Sequence, residues 1–339
     1  MKNVVIIAEA GVNHNGSLEL AFRLIDFATE AGADYVKFQT FNASKLVSAS
    51  APKAEYQVKN TGSEETGQQQ MLEKLALTRK DFIELFEYCK KKKIGFLSTG
   101  FDEESVLFID RLGVDFHKIP SGEITNLPYL RLIGSLGKPV ILSTGMATLE
   151  EIRFALEVLY EQGMTGDQVT VLHCTTEYPA PFEEVNLNAM LTMKNAFGLM
   201  AGYSDHTAGI EIPVAAVALG AVMIEKHFTT DRNLPGPDHK ASLEPDELIA
   251  MVRSIRNVEK ALGDGIKKPS ASEIKNILIA RRSIHLAENL PSGHILRETD
   301  LVMKRPGNGI SPMLMNQITG KKLKTNLDKD TLLTWENLQ

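Results

Sequence analysis

Two lysines, two histidines and a set of carboxylates and hydroxyls carry the chemistry of this chain. Lys37 and Gln39 stand two residues apart in DYVKFQTF, and Glu225 and His227 two apart in IEKHFT. In an extended segment such pairs share one face. Lys118 is followed by Ser121 and Glu123, and Ser204 by Asp205 and His206. Two lysines with several Ser and Thr hydroxyls suit a phosphorylated, doubly anionic ligand. Lysine acts on phosphate as a point charge, and hydroxyls fill the remaining acceptor sites. His206 and His227 can meet at one metal ion. Two imidazoles completed by water and oxygen ligands suit a borderline ion such as Mn²⁺, Fe²⁺ or Zn²⁺. The alternative for each residue alone is structural: a lysine paired with a glutamate, or a histidine satisfied within the core.

The elements that must position these residues follow a strict rhythm. Short β-rich apolar runs lie at Val4–Ala8, Tyr35–Thr40, Ile94–Thr99, Phe116–Pro120, Pro139–Ser143, Val169–Cys174, Gly198–Tyr203 and Val222–Phe228. Helical patterns separate them, among them Leu18–Ala31, Arg79–Lys93, Glu103–Leu112 and Leu149–Gln162, and Pro245–Leu262 follows the last. Alternating strand and helix implies parallel pairing with right-handed crossovers. Eight such units in about 260 residues predict a (β/α)₈ barrel over residues 1–262. An open doubly wound sheet is the rival. The first strand, however, runs into Glu9-Ala10-Gly11-Val12-Asn13-His14-Asn15-Gly16, not the Gly-rich turn such a fold carries.

In a barrel the chemistry sits at the C-terminal ends of the strands. Those ends carry Glu9, Lys37 with Gln39, Thr99, Lys118 with Ser121 and Glu123, and Ser143. The last three strands carry His173 and then Tyr178, Ser204 with His206, and Glu225 with His227. Buried charge is expensive unless paired or functional, so this density of polar ends predicts a catalytic mouth. The long polar connection Phe41–Leu77 follows the second strand and reads as a lid, a binding loop or a disordered stretch. Gly263–Ser272 (GDGIKKPSAS) opens a linker taken as residues 263–280, and a small β-rich domain occupies 281–339.

Composition narrows the class. The 339 residues are 43% hydrophobic, with net charge −6. Charges of both signs are interspersed, which argues against nucleic-acid binding. Cys89 and Cys174 are too few for a disulfide framework and read as buried thiols. The N-terminal apolar run is too short for a signal peptide, and no run reaches membrane-spanning length, so the expected location is the cytoplasm.

The segments IIAEAGVNHNGS, DYVKFQTF, FLSTGFDEES, KIPSGEITNLPYL, ILSTGMAT, LHCTTEYPAPFEEVNL, GYSDHT, IEKHFT and GPDHKASLEP resemble the sialic acid synthase family. That family makes nonulosonic acids, including N-acetylneuraminate and legionaminate. KRPGNGIS and its surroundings resemble the family's antifreeze-like (SAF, β-clip) domain. The resemblance implies condensation of phosphoenolpyruvate, an N-acylmannosamine-type sugar and water, giving N-acetylneuraminate or N,N'-diacetyllegionaminate plus phosphate. It implies that Lys37, Thr99, Lys118, Ser121, Ser143 and Ser204 hold phosphoenolpyruvate. Gln39, Tyr178, Asp238 and Glu9 would contact the sugar, and His206 and His227 would bind a divalent metal, usually Mn²⁺, with Mg²⁺ or Co²⁺ as alternatives. Arg305 would reach into the partner's site in a domain-swapped homodimer. For activating the water, Glu123 is the first candidate and Glu9 the second. Some members carry asparagine where Thr176 stands, so Thr176 is left out of this set. Two rival functions remain: another phosphoenolpyruvate-dependent aldol synthase making keto-deoxy sugar acids, and a carbohydrate- or ice-binding protein.

Overall fold

Eight parallel strands hydrogen-bond in the order β3-β2-β1-β8-β7-β6-β5-β4, in a computed structural model that describes residues 3–48, 50–61 and 67–339. They are β1 (Val5–Gly11), β2 (Tyr35–Thr40), β3 (Gly95–Gly100), β4 (His117–Ile119), β5 (Val140–Ser143), β6 (Val169–His173), β7 (Met200–Asp205) and β8 (Met223–His227). β3 and β4 face each other across the remaining gap, which makes a nearly closed barrel. Helices α1 (Leu18–Ala31), α5 (Arg79–Lys92), α6 (Glu103–Leu112), α7 (Leu127–Ser135), α8 (Leu149–Glu161), α9 (Asn188–Phe197), α10 (Glu211–Ala218) and α11 (Pro245–Leu262) follow the eight strands in turn.

Local sequence sets these boundaries. Ser17 caps α1 by accepting from the Leu20 N–H, and Gly32 closes it in the left-handed region at φ 77°. Thr78 with Asp81 and Thr148 with Glu151 form capping boxes that start α5 and α8. The inner faces of the helices bury Leu24, Ile25, Leu85, Ile109, Leu159 and Leu248 against the strands. Each such side chain contributes roughly 1.5–3 kcal/mol of transfer free energy. The strands are therefore covered on both sides, and the cavity lies at their open ends.

β1 runs three residues past the sequence expectation, to Gly11. The charge of Glu9 breaks the apolar run but not the strand, because Glu9 faces the barrel interior and pairs there. Among its described residues the long connection after β2 forms three short helices: α2 (Ala43–Leu46), α3 (Glu55–Thr61) and α4 (Gln68–Leu75). Residue 49 and residues 62–66 of that connection lie outside the described residues. Met71, Leu72 and Leu75 of α4 pack with Val12 and Ala43 into a small apolar cluster of their own.

By its internal packing the chain divides into Met1–Gly263 and Asp264–Gln339. The second unit begins with a segment the sequence reads as linker, and there the structure differs. α12 (Ala271–Ala280) occupies it, started by a capping box in which Ser270 and Glu273 exchange hydrogen bonds. Next come β9 (Ser283–Leu286), antiparallel to β10 (Leu301–Lys304), and the one-turn helix α13 (Met315–Ile318). Ile284, Leu286, Leu296, Ile310 and Leu333 form this unit's own core.

Candidate active site

The C-terminal ends of all eight strands open into one cavity of about 370 Å³. Glu9, Lys37, Gln39, Thr99, Lys118, Ser121, Glu123, Ser143, Tyr178, Ser204, His206, His227 and Asp238 all line it. Strand register explains the convergence. Glu9 is the Cα partner of Lys37 on one side and of His227 on the other, and Ser204 is the partner of Glu225. Gly11 ends β1 at φ 52°, which glycine adopts without strain. A Cβ there would lie 3.3 Å from the Glu9 carboxylate and 3.4 Å from both Asp238 and Gln39.

The floor is a buried charge network. Lys37 Nζ lies 2.7 Å from Glu9 and 3.7 Å from Glu225, and donates to Thr99 Oγ1 at 3.1 Å. Lys118 Nζ donates to Ser143 Oγ at 2.6 Å and to both oxygens of Glu225 at 3.1 Å. Ser204 donates to Glu225 at 3.0 Å. Burial opposes the charge on Glu225, but Lys118 and Lys37 outweigh it and hold this carboxyl down at about 2. Burial pushes Glu9 up to about 7, with Lys37 opposing and Glu225 reinforcing. Burial also raises Asp238 to about 6, against the pull of Lys37. Lys37 stays charged, since Glu225 and Glu9 outweigh its burial, while burial lowers Lys118. Lys37 and Lys118 thus converge on the ionised Glu225, while burial works against charge on Glu9 and Asp238, and the two ammonium groups are the anchor for an anion.

Opposite the lysines stand the two imidazoles, with ring centroids 5.5 Å apart. His206 Nδ1–H donates to the Thr175 carbonyl at 2.5 Å, which leaves Nε2 with its lone pair. His227 Nδ1 is buried with no hydrogen-bond partner, 3.8 Å from Asp238 Oδ2. Burial lowers His206 to about 4 and lowers His227 as well, so both rings are neutral. Neutral rings, a free Nε2 and an orphaned buried nitrogen beside a carboxylate fit a divalent cation. Among the described residues no group of three or more His, Cys, Asp or Glu side chains is arranged to hold one, so water or substrate oxygens would complete the shell. The Tyr178 ring lies 4.1 Å from His206, and burial raises its phenol well above the ordinary value.

Glu123 lies in a short turn after β4, half-buried at the cavity edge, and accepts from the Asn126 amide at 2.5 Å. Arg305 is not part of this lining. It lies in the second unit, exposed, and its Nε donates to the Ala280 carbonyl at 3.0 Å. Cys89 and Cys174 are buried free thiols. His14 and His239 are fully buried beside the mouth and do not line it. His239 shares a hydrogen bond with Thr229 at 2.7 Å, so it braces the loop that carries Asp238.

Sequence reasoning left one role unassigned and missed one group of residues. Glu225 was placed at the mouth by its spacing two residues before His227 but was given no role, and it ties the lysines together. The long connection supplies Tyr56, Gln57, Gln68, Met71 and Leu72 to the cavity wall. Asn60 anchors it by donating to the Pro237 carbonyl at 2.7 Å, and Tyr56 packs 4.9 Å from Tyr178. Nothing in the residue order of that polar stretch marks these positions.

Comparison with known proteins follows the same lines. The NeuB family model matches residues 24–267, and the SAF domain model matches residues 281–339. The chain is 56% identical over 333 residues to N,N'-diacetyllegionaminic acid synthase of Campylobacter jejuni, covering 98% of this chain and 99% of that protein. It is 49% identical over 336 residues to the protein of the same name from Legionella pneumophila, covering 98% and 94%. Among solved structures, N-acetylneuraminic acid synthetase of Leptospira borgpetersenii in complex with citrate is similar at TM-score 0.71 and 37% identity, over 81% of this chain and 90% of that one.

Proposed function

The chain belongs to the NeuB family, and we propose that it condenses phosphoenolpyruvate with 2,4-diacetamido-2,4,6-trideoxymannose and water to give N,N'-diacetyllegionaminate and phosphate. The observation that carries the sugar is 56% identity, over 98% of the chain, to a synthase of that product. N-Acetylmannosamine is the second reading, supported by the 37% identical N-acetylneuraminic acid synthetase.

Lys37 and Lys118 take the phosphate of phosphoenolpyruvate, with Thr99, Ser121, Ser143 and Ser204 filling its remaining acceptor positions. Glu225 keeps the two ammonium groups together between turnovers. Gln39, Asp238 and Tyr178 orient the open-chain sugar over the imidazoles. His206 and His227 hold a divalent cation, Mn²⁺ by preference. When bound, that ion supplies Lewis acidity to the sugar's aldehyde oxygen. A carbon–carbon bond then forms between the phosphoenolpyruvate methylene and the aldehyde carbon, and the water oxygen adds at C2. The C2–O bond of the phosphate ester breaks as the new C2 hydroxyl gives up its proton to become the ketone, phosphate leaves, and of the two water protons one ends on the former aldehyde oxygen and the other on phosphate. Glu123 and Glu9 are the carboxylates available to take the water's proton. The value of about 7 suits Glu9 to proton transfer near neutrality.

Arg305 completes the sugar end from a second copy of the chain in a domain-swapped homodimer. The enzyme works in the cytoplasm, with its supply of phosphoenolpyruvate. Among the described residues no helix is long and apolar enough to cross a membrane. The test is the reaction with phosphoenolpyruvate carrying ¹⁸O in the C2–O–P bridge. The reading expects the label in released phosphate and a nonulosonate of the summed mass. Label retained in the organic product contradicts it.

A further inference from the structure

The residues of β8 alternate faces. Glu225 and His227 line the cavity, so Lys226 between them points outward, into the layer between strands and helices. On β7 the same alternation turns Asp205 outward between Ser204 and His206. Asp205 and Lys226 are Cα partners in the β7–β8 ladder, both are fully buried, and they form an ion pair. Each stands immediately before one of the two imidazoles.

The pair also clasps the turn around His206. Lys226 donates to the Thr207 carbonyl. Asp205 accepts from the Thr207 N–H at 3.2 Å and from its hydroxyl at 3.0 Å. Residues 205 and 207 are thus fixed from outside the barrel. His206 between them is fixed on the inside by its Nδ1–H bond to the Thr175 carbonyl, and its own carbonyl accepts from Ala180 N–H at 2.9 Å. Apolar residues of similar volume would fill such a space at lower desolvation cost. An ion pair kept here, between two strands and one residue from each imidazole, calls for a reason beyond packing.

We propose that Asp205 and Lys226 are positioning residues for the cation site: the pair locks β7 and β8 in register beside both imidazoles and pins the 205–207 turn, so the ligand nitrogens are aimed before an ion arrives. This rests on His206 and His227 being the cation ligands. Neither Asp205 nor Lys226 touches cation, sugar or phosphoenolpyruvate. Their effect therefore falls on metal affinity and leaves the phosphate site alone. Replacing the groups that orient metal ligands typically weakens affinity about 10- to 100-fold.

The experiment titrates Mn²⁺ alone into the full-length protein by calorimetry, with phosphoenolpyruvate binding measured separately without metal. The variants are Asp205→Asn, Lys226→Met and the double Asp205→Asn/Lys226→Met, with His206→Ala as reference. The double variant leaves no buried charge unpaired, so it stays foldable if Lys226→Met alone does not. The expected result is Mn²⁺ affinity about 10- to 100-fold below wild type in folded variants, with phosphoenolpyruvate affinity within about threefold. Folded Asp205→Asn and double variants that bind Mn²⁺ as tightly as wild type overturn the proposal and leave the pair a packing feature. Equal loss of metal and phosphoenolpyruvate binding overturns it too, since that is general disruption. If His206→Ala binds Mn²⁺ as wild type does, the cation reading itself falls and takes this inference with it.

Discussion

Lys118 serves two ends in this account, and substitution separates them. It is buried, donating to Ser143 Oγ at 2.6 Å and to both oxygens of Glu225 at 3.1 Å. Lys118→Met leaves Glu225 buried with only Lys37, at 3.7 Å, and the Ser204 hydroxyl as partners. Breaking a buried pair by removing one member costs about 3–5 kcal/mol of stability. It also removes a charge-assisted hydrogen bond to the phosphate, worth about 1.5–3 kcal/mol. At about 1.4 kcal/mol per decade, phosphoenolpyruvate then binds roughly 10- to 140-fold more weakly. Adding Glu225→Gln removes the orphaned charge. The double variant is expected to recover most of the stability and none of the affinity. Denaturant unfolding reads the first quantity, and calorimetric titration of phosphoenolpyruvate reads the second. Phosphoenolpyruvate affinity near wild type in the double variant would refute Lys118 as a phosphate ligand. Unchanged stability in the single variant would refute the ion-pair argument.

Other perturbations probe other parts of the site. The folded-state value of Glu9, about 7, lies above its ordinary 4.5, so its contribution to stability is full below about 4.5 and is lost as pH rises through 7. Wild type should therefore lose up to about 3 kcal/mol relative to Glu9→Gln between pH 4.5 and 8, and denaturant unfolding showing a parallel pH dependence would contradict this. His206→Ala or His227→Ala should lower turnover by roughly a thousandfold or more, with the fold intact by circular dichroism, since Lewis-acid stabilisation supplies several kcal/mol. A near-normal rate in either variant would remove that residue from the cation site. Inactive Arg305→Ala and His227→Ala subunits, mixed and exchanged, should regain part of the wild-type rate. No recovery despite demonstrated exchange would place Arg305 outside a shared site.

Much of the barrel was legible because its signals are local. Leu18–Ala31, Glu103–Leu112 and Pro245–Leu262 were read to the residue, since a capping residue, an apolar period and a following glycine coincide there. β1 was cut short because the sequence cannot show that Glu9 will face a lysine. α12 was missed because it begins at the end of GDGIKKPSAS and was taken with it as linker, although Ser270 and Glu273 spell its capping box. The long connection was opaque for a different reason. Helices of four to eight residues are marginal on propensity alone. α2 and α4 are held by packing of Ala43, Met71, Leu72 and Leu75 with Val12, and α3 by the Asn60 hydrogen bond and the Tyr56–Tyr178 contact, which no periodicity announces. In the site, residues on the strands were found because alternate positions share a face. Tyr56, Gln57 and Asn60 were not found, because they reach the mouth from that connection.

The central claim is a sugar-dependent release of phosphate from phosphoenolpyruvate. Its most direct test is kcat/KM in the presence of Mn²⁺, comparing 2,4-diacetamido-2,4,6-trideoxymannose with N-acetylmannosamine. The two sugars differ at C4, acetamido against hydroxyl, and at C6, methyl against hydroxymethyl, and the account predicts release with the first at a rate at least about tenfold above the second, the low end of what one group difference in a pocket supports. Preference for N-acetylmannosamine would reassign the product to N-acetylneuraminate. No release with either sugar, in protein shown to be folded and metal-loaded, would contradict the account.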